Sequence, residues 1–111
     1  MAGEIFMTRD HAVIRAWADR AGARPTAVGK TRLNGDPGII RLDVTGFAGT
    51  GYLEEITWAQ WLAKFDRSRL VLLFQETTVG GETSRFHRVV DEATALEMEE
   101  TAHWVGEGSR A

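Results

Sequence analysis

Apolar residues fall at helical spacing in two stretches of this chain and at strand spacing in three. The first helical stretch places Val13, Ile14, Trp17, Ala18 and Ala21 on one face, with Arg9, Arg15, Asp19 and Arg20 opposite. It predicts a helix from about Thr8 to Ala21, with Thr8 as N-cap, Asp10 in the positive first turn and Gly22 as the stop. The second begins at Thr57, where Thr57 and Gln60 form a Thr-x-x-Gln capping box and Ile56 is placed to staple against Trp61. Trp58, Trp61, Leu62 and Phe65 then share one stripe. Burying one such aromatic contributes roughly 2–3 kcal/mol, so this stripe is expected to dominate the core.

Between the helices the pattern breaks. Pro25, Gly29, Asn34-Gly35 and Asp36-Pro37-Gly38 are turn signals, with a few extended residues within Thr26 to Lys30. Ile39 to Val44 alternates, with Ile40, Leu42 and Val44 on one side and Arg41 and Asp43 on the other, as a half-buried antiparallel strand does. Gly46, Gly49 and Gly51 punctuate the connection to the second helix. After the Asp66–Arg69 turn, Leu70 to Phe74 is continuously apolar, which predicts a central strand covered on both faces. Val79-Gly80-Gly81-Glu82 predicts a two-residue glycine turn leading to a partner strand from Ser84 to Val90. That hairpin sets Phe86 opposite Gln75 and Val90 opposite Val71. Residues 92–105 are rich in helix formers, yet Leu96, Met98, Ala102, Trp104 and Val105 do not keep one face. A marginal helix, or a tail that orders only against something else, is expected there, with a frayed end after it.

The order helix, strand, helix, strand, strand predicts an α+β fold. It consists of one small antiparallel sheet of about three strands, two helices packed on one face and a marginal C-terminal helix. Residues 1–90 are read as a single α+β domain and residues 91–111 as an acidic C-terminal segment.

Composition narrows the function classes. At 111 residues the chain suits one domain able to bury its own core. It has no cysteine, which removes disulfides, thiol nucleophiles and thiolate metal sites. The longest apolar run, Leu70 to Phe74, is far short of the roughly 20 residues of a membrane span. Met1 to Arg9 lacks the apolar core of a secretory signal. These features together predict a soluble cytoplasmic protein that does not engage a membrane. The net charge of −3 is uneven. Residues 1–48 hold seven Lys/Arg against five Asp/Glu, whereas residues 91–111 hold six acids and only Arg110. Neither region is the dense basic stripe of a dedicated nucleic-acid binder.

A search for chemistry returns little. Gly29-Lys30-Thr31 ends like a phosphate loop, but Arg24 stands where the first glycine is required. Gly46, Gly49 and Gly51 run in the reverse of a dinucleotide fingerprint and precede Glu54-Glu55, which would repel phosphate. His11, His87 and His103 show no metal-ligand spacing, and Ser68 and Ser84 lie in no nucleophile elbow. No catalytic residue, metal site or cofactor is assigned. The best binding constellation is basic: Arg15, Arg20, Arg24, Lys30 and Arg32, on the first helix and the loop after it.

Several segments together resemble one family. They are Asp10-His11-x-x-Ile14-Arg15-x-Trp17-Ala18, Arg24-Pro25, Gly38 to Asp43, Leu53-Glu54-Glu55-Ile56-x-Trp58, Leu72 to Glu76 and Ser84-Arg85-Phe86. Over roughly Thr8 to Val90 the chain is similar to a family of small, uncharacterised bacterial proteins of about a hundred residues. Its members sometimes carry the label of a glucan branching enzyme. This chain is too short for a glycosidase barrel and shows no paired catalytic carboxylates. The resemblance implies a bacterial cytoplasmic α+β domain and supplies no catalytic residues.

The leading expectation is a non-enzymatic domain that binds a protein partner or a second copy of itself. The first alternative is a weak nucleic-acid-binding module using the basic face of the first helix and the 24–32 loop. The second is an enzyme whose site assembles only in three dimensions, around His87 and Glu76.

Overall fold

The computed structural model describes residues 3–31, 33–44 and 53–107. Its first element is a strand, β1 (Ile5–Thr8), and the first helix, α1 (His11–Ala21), begins after it. Thr8 is therefore the end of a strand rather than a helix cap. Its hydroxyl donates to the Val105 carbonyl and accepts from the Asp10 N–H, while Asp10 takes the cap by accepting from the N–H groups of Ala12 and Val13. Gly22 closes α1 in the left-handed conformation expected of a stop.

β2 (Arg24–Val28) follows, then a 3-10 turn at Gly29–Thr31, β3 (Ile40–Asp43) and β4 (Leu53–Glu55). These three strands form their own antiparallel sheet in the order β3-β2-β4. α2 (Trp58–Arg67) starts with the expected capping box, Thr57 accepting from the Gln60 N–H at 3.0 Å and the Gln60 side chain accepting in return from the Thr57 N–H at 3.1 Å. β5 (Leu70–Gln75), β6 (His87–Asp91), α3 (Glu92–Glu97) and β7 (Ala102–Trp104) complete the chain. A four-stranded sheet has the order β6-β5-β1-β7, antiparallel except for the parallel β1–β7 pair.

Two expectations are thereby corrected. There are two sheets rather than one, and helices lie on both faces of the larger. β1, β4 and β7 are three or four residues long, too short to carry a period, and each is stabilised by partners distant in sequence. The C-terminal segment is a six-residue helix and then a strand, not a marginal helix over 92–105. Its apolar residues keep no helical face because Ala102 and Trp104 follow the two-residue period of β7.

β5 is buried from Val71 to Phe74, as its unbroken apolar run requires. Leu72 and Phe74 face α1, α2 and the second sheet, joining Ile14, Trp17, Trp61, Phe65, Ile40 and Leu42. Val71 and Leu73 face the other way, with Met7, Val90, Ala95 and Ala102. The aromatic stripe of α2 is interior filling. Trp61 and Phe65 stack with ring centroids 5.2 Å apart and are essentially inaccessible, while Trp58 and Leu62 form the half-buried rim.

The β5–β6 hairpin has the expected partners, Val71 opposite Val90 and Gln75 donating to the Phe86 carbonyl, but a different turn. Gly81 donates to the Thr78 carbonyl and Thr78 to the Glu82 carbonyl, with Gly81 at φ +87°: a turn followed by a left-handed glycine. That shifts the pairing by one residue, so Ser84 donates to the Glu76 carbonyl. Arg85 is then an extra, bulged residue that restores the anticipated register.

Because β7 pairs with β1 and α3 covers Val71 and Leu73, removing both exposes one whole face of the central sheet. A chain truncated after Val90 is expected to lose its cooperative urea transition; a sharp transition with an unchanged midpoint would contradict that role for residues 91–107.

Candidate functional site

The residues between β2 and β3 determine the shape of a cleft between the two sheets. Asn34 and Gly35, both at positive φ, close a two-residue turn in which Leu33 and Asp36 exchange backbone hydrogen bonds. Asp36 then binds in three directions: Lys64 Nζ at 2.8 Å, the Arg67 guanidinium and the Gly38 N–H at 2.9 Å. The Lys64 ammonium first, then the Gly38 N–H and Arg67, pull its carboxyl down to about 2 against a small opposing desolvation. Gly38 sits at φ +83° so close to Thr31 that a Cβ would lie 2.3 Å from its hydroxyl oxygen, and only glycine fits. Thr31 in turn donates to the Val28 carbonyl and accepts from the Ile39 N–H. The loop is thus clamped to the end of α2, and β3 leaves it at a fixed angle.

The product is a cleft of about 700 Å³ between β3 and β6, the facing edge strands of the two sheets. β3 and its approach contribute Gly38 to Leu42; β6 contributes His87, Arg88 and Val89; Thr31, Lys64, Ser68 and Leu70 complete the wall. Among the described residues the lining carries three basic side chains, Arg41, Lys64 and Arg88, and no carboxylate. Lys64 is held by Asp36, whereas the guanidiniums of Arg41 and Arg88, both on exposed residues, pair with no acid among the described residues.

His87 bridges the sheets at one end of the cleft. Its Nε2 lies 3.1 Å from the Leu42 carbonyl of β3, its Nδ1 3.0 Å from the Arg85 carbonyl, and its ring 5.0 Å from the Trp17 indole. Both nitrogens are thus turned to backbone oxygens. Glu76, considered with it as a site partner, instead pairs with Arg20 at 3.2 Å.

The basic constellation on α1 and the following loop is dispersed into separate contacts. Arg15 lies 5.7 Å from the Trp58 ring, Arg20 pairs with Glu76, and Arg24 pairs with Glu55 at 3.3 Å. Lys30 is exposed on the 3-10 turn, and Arg32 lies outside the described residues, as do Gly46, Gly49 and Gly51. Arg41, Lys64, His87 and Arg88, which the cleft does bring together, come from three elements up to 47 residues apart in numbering from Arg41 to Arg88. Arg41 and Arg88 occupy the polar positions of alternating strands and give no local signal.

Among the described residues no group of three or more His, Cys, Asp or Glu side chains could hold a metal ion, and no helix is long and apolar enough to cross a membrane. No family model, curated protein or solved structure matches the chain.

Since the Asp36 carboxyl is lowered by its folded-state partners, its contribution to stability is full above the ordinary carboxylate value of 3.8 and is lost as pH falls through about 2. Asp36→Asn is expected to lower the urea midpoint at pH 7 and to flatten its fall between pH 4 and pH 2. Parallel curves for the two proteins across that window would show that the clamp contributes nothing.

Proposed function

We propose that this chain is a binding domain without catalytic chemistry of its own, and that the cleft between β3 and β6 takes an acidic stretch of a protein partner. The observation that carries this reading is the charge of the lining: among the described residues it holds Arg41, Lys64 and Arg88 and no carboxylate, in a chain whose net charge is −3. Concentrating positive charge at one concave surface of an acidic molecule selects anionic ligands and steers their approach. Two guanidiniums that pair with no acid among the described residues fall short of the basic stripe of a nucleic-acid binder. An enzyme using His87 gains no support from a ring held by two carbonyls and lacking a carboxylate partner.

The test is a titration of the full chain with short poly-glutamate, poly-lysine and a single-stranded oligonucleotide, read from the amide chemical shifts of residues 39–42 and 87–89. Poly-glutamate is expected to move those amides, more strongly at low salt. The Arg41→Glu/Arg88→Glu protein is expected to bind it about tenfold more weakly or worse, with an unchanged unfolding midpoint because both side chains are exposed. Unmoved amides, or equal affinity of the double variant, would overturn the reading. Oligonucleotide binding that survives the double reversal would transfer the function to the Arg15 and Lys30 surface.

A further inference from the structure

We propose that the occupant of this cleft docks by strand addition: an extended acidic segment of another protein pairs with the outer edge of β6 and becomes a fifth strand of the larger sheet. The inference rests on the reading of the cleft as a binding surface and adds the mode of recognition to it.

The argument begins with the direction of the β6 backbone groups. In an antiparallel pair, residues alternate between facing the partner strand and facing away. Gln75 donates to the Phe86 carbonyl at 3.2 Å, and the register continues as Leu73 opposite Arg88 and Val71 opposite Val90. Arg88 and Val90 therefore turn their N–H and C=O groups to β5, as Phe86 does its C=O, while the Phe86 N–H donates to the Ser84 hydroxyl at 3.1 Å. His87 and Val89 turn theirs outward, along the cleft, where they meet no backbone partner among the described residues.

The other three sheet edges are less suited. β4 and β7 are three residues long. On β3, the Leu42 carbonyl is already taken by His87 Nε2. β6 has five residues and is bounded by the Arg85 bulge at one end and by the Asp91 cap of α3 at the other, so its open edge is both the longest and sharply delimited.

Charge then selects the occupant. Side chains of an added strand alternate between the two faces of the sheet. On one face they meet His87 and Val89, which pack toward the core; on the other they meet Arg88, whose guanidinium pairs with no acid among the described residues, while Arg41 lines the facing wall of the cleft. Carboxylates at alternating positions therefore line one face, that of Arg88, and the β-branched residues between them face His87 and Val89 and favour the extended form.

The probe is a capped peptide alternating glutamate and threonine, compared with the same peptide methylated at every backbone nitrogen. Methylation keeps the charges and removes the donors that strand pairing needs. Hydrogen exchange of individual amides in the full chain gives the second readout. Strand addition predicts that the parent peptide slows exchange at the His87 and Val89 amides about tenfold or more, and that the methylated peptide binds about tenfold more weakly or worse. Val89→Pro removes one outward donor, a change edge strands tolerate, and is expected to weaken the parent peptide similarly. Equal binding of the two peptides, with the His87 and Val89 amides unprotected, overturns strand addition and leaves the acidic-ligand reading standing. Binding of neither peptide overturns both.

Discussion

Two indole N–H groups hold this fold together. Trp17 and Trp61 are essentially inaccessible, an unusual state for a side chain whose polar atom normally reaches water. Each donates instead to a backbone carbonyl of a sheet: Trp17 to Gln75 at 3.0 Å, Trp61 to Arg41 at 2.9 Å. A buried donor without its acceptor is costly, so each bond fixes its ring in one position. The first anchors α1 to the end of β5, the second anchors α2 to β3. With Phe65 stacked on Trp61, the two helices become the spacer that sets how far apart the sheets stand.

The cleft is the space left beside that spacer. Its floor is apolar because Leu42, Ile40 and Val89 belong to the same core or pack against it, and its rim is basic because Arg41 and Arg88 are the outward partners of those positions. His87 closes one end by reaching from β6 to the Leu42 carbonyl, and Asp36 closes the other by tying the β2–β3 loop to Lys64 and Arg67 of α2. The shape and the charge of the cleft thus follow from the architecture: the surface is concave because the sheets are held apart, and it is cationic because the alternation that buries Leu42 exposes Arg41.

What the chain reveals by itself follows the range of each interaction. The α2 capping box, its aromatic stripe, the burial of β5 and the Val71–Val90 pairing are encoded within a few residues or by one hairpin, and each is legible. The start of α1 was displaced because Thr8 and Asp10 are both good caps, and only the pairing of β1 with β5 shows that Thr8 is occupied elsewhere. β7 was illegible for the same reason: three residues with no period become a strand only because β1 lies alongside. The cleft is harder still. Arg41 and Arg88 look like ordinary polar positions, and their common surface depends on two sheets being placed against each other through tryptophans from two helices.

The most direct measurement of the central claim is solvent exchange of the four indole N–H protons in the native protein. If the Trp17 and Trp61 bonds set the spacing of the sheets, those two protons exchange only through global unfolding, with protection equal to that of the slowest backbone amides. The Trp58 indole, on the half-buried rim, exchanges far faster. Exchange of Trp17 and Trp61 at the Trp58 rate would contradict the account, because the rings could then leave their carbonyls while the fold persisted.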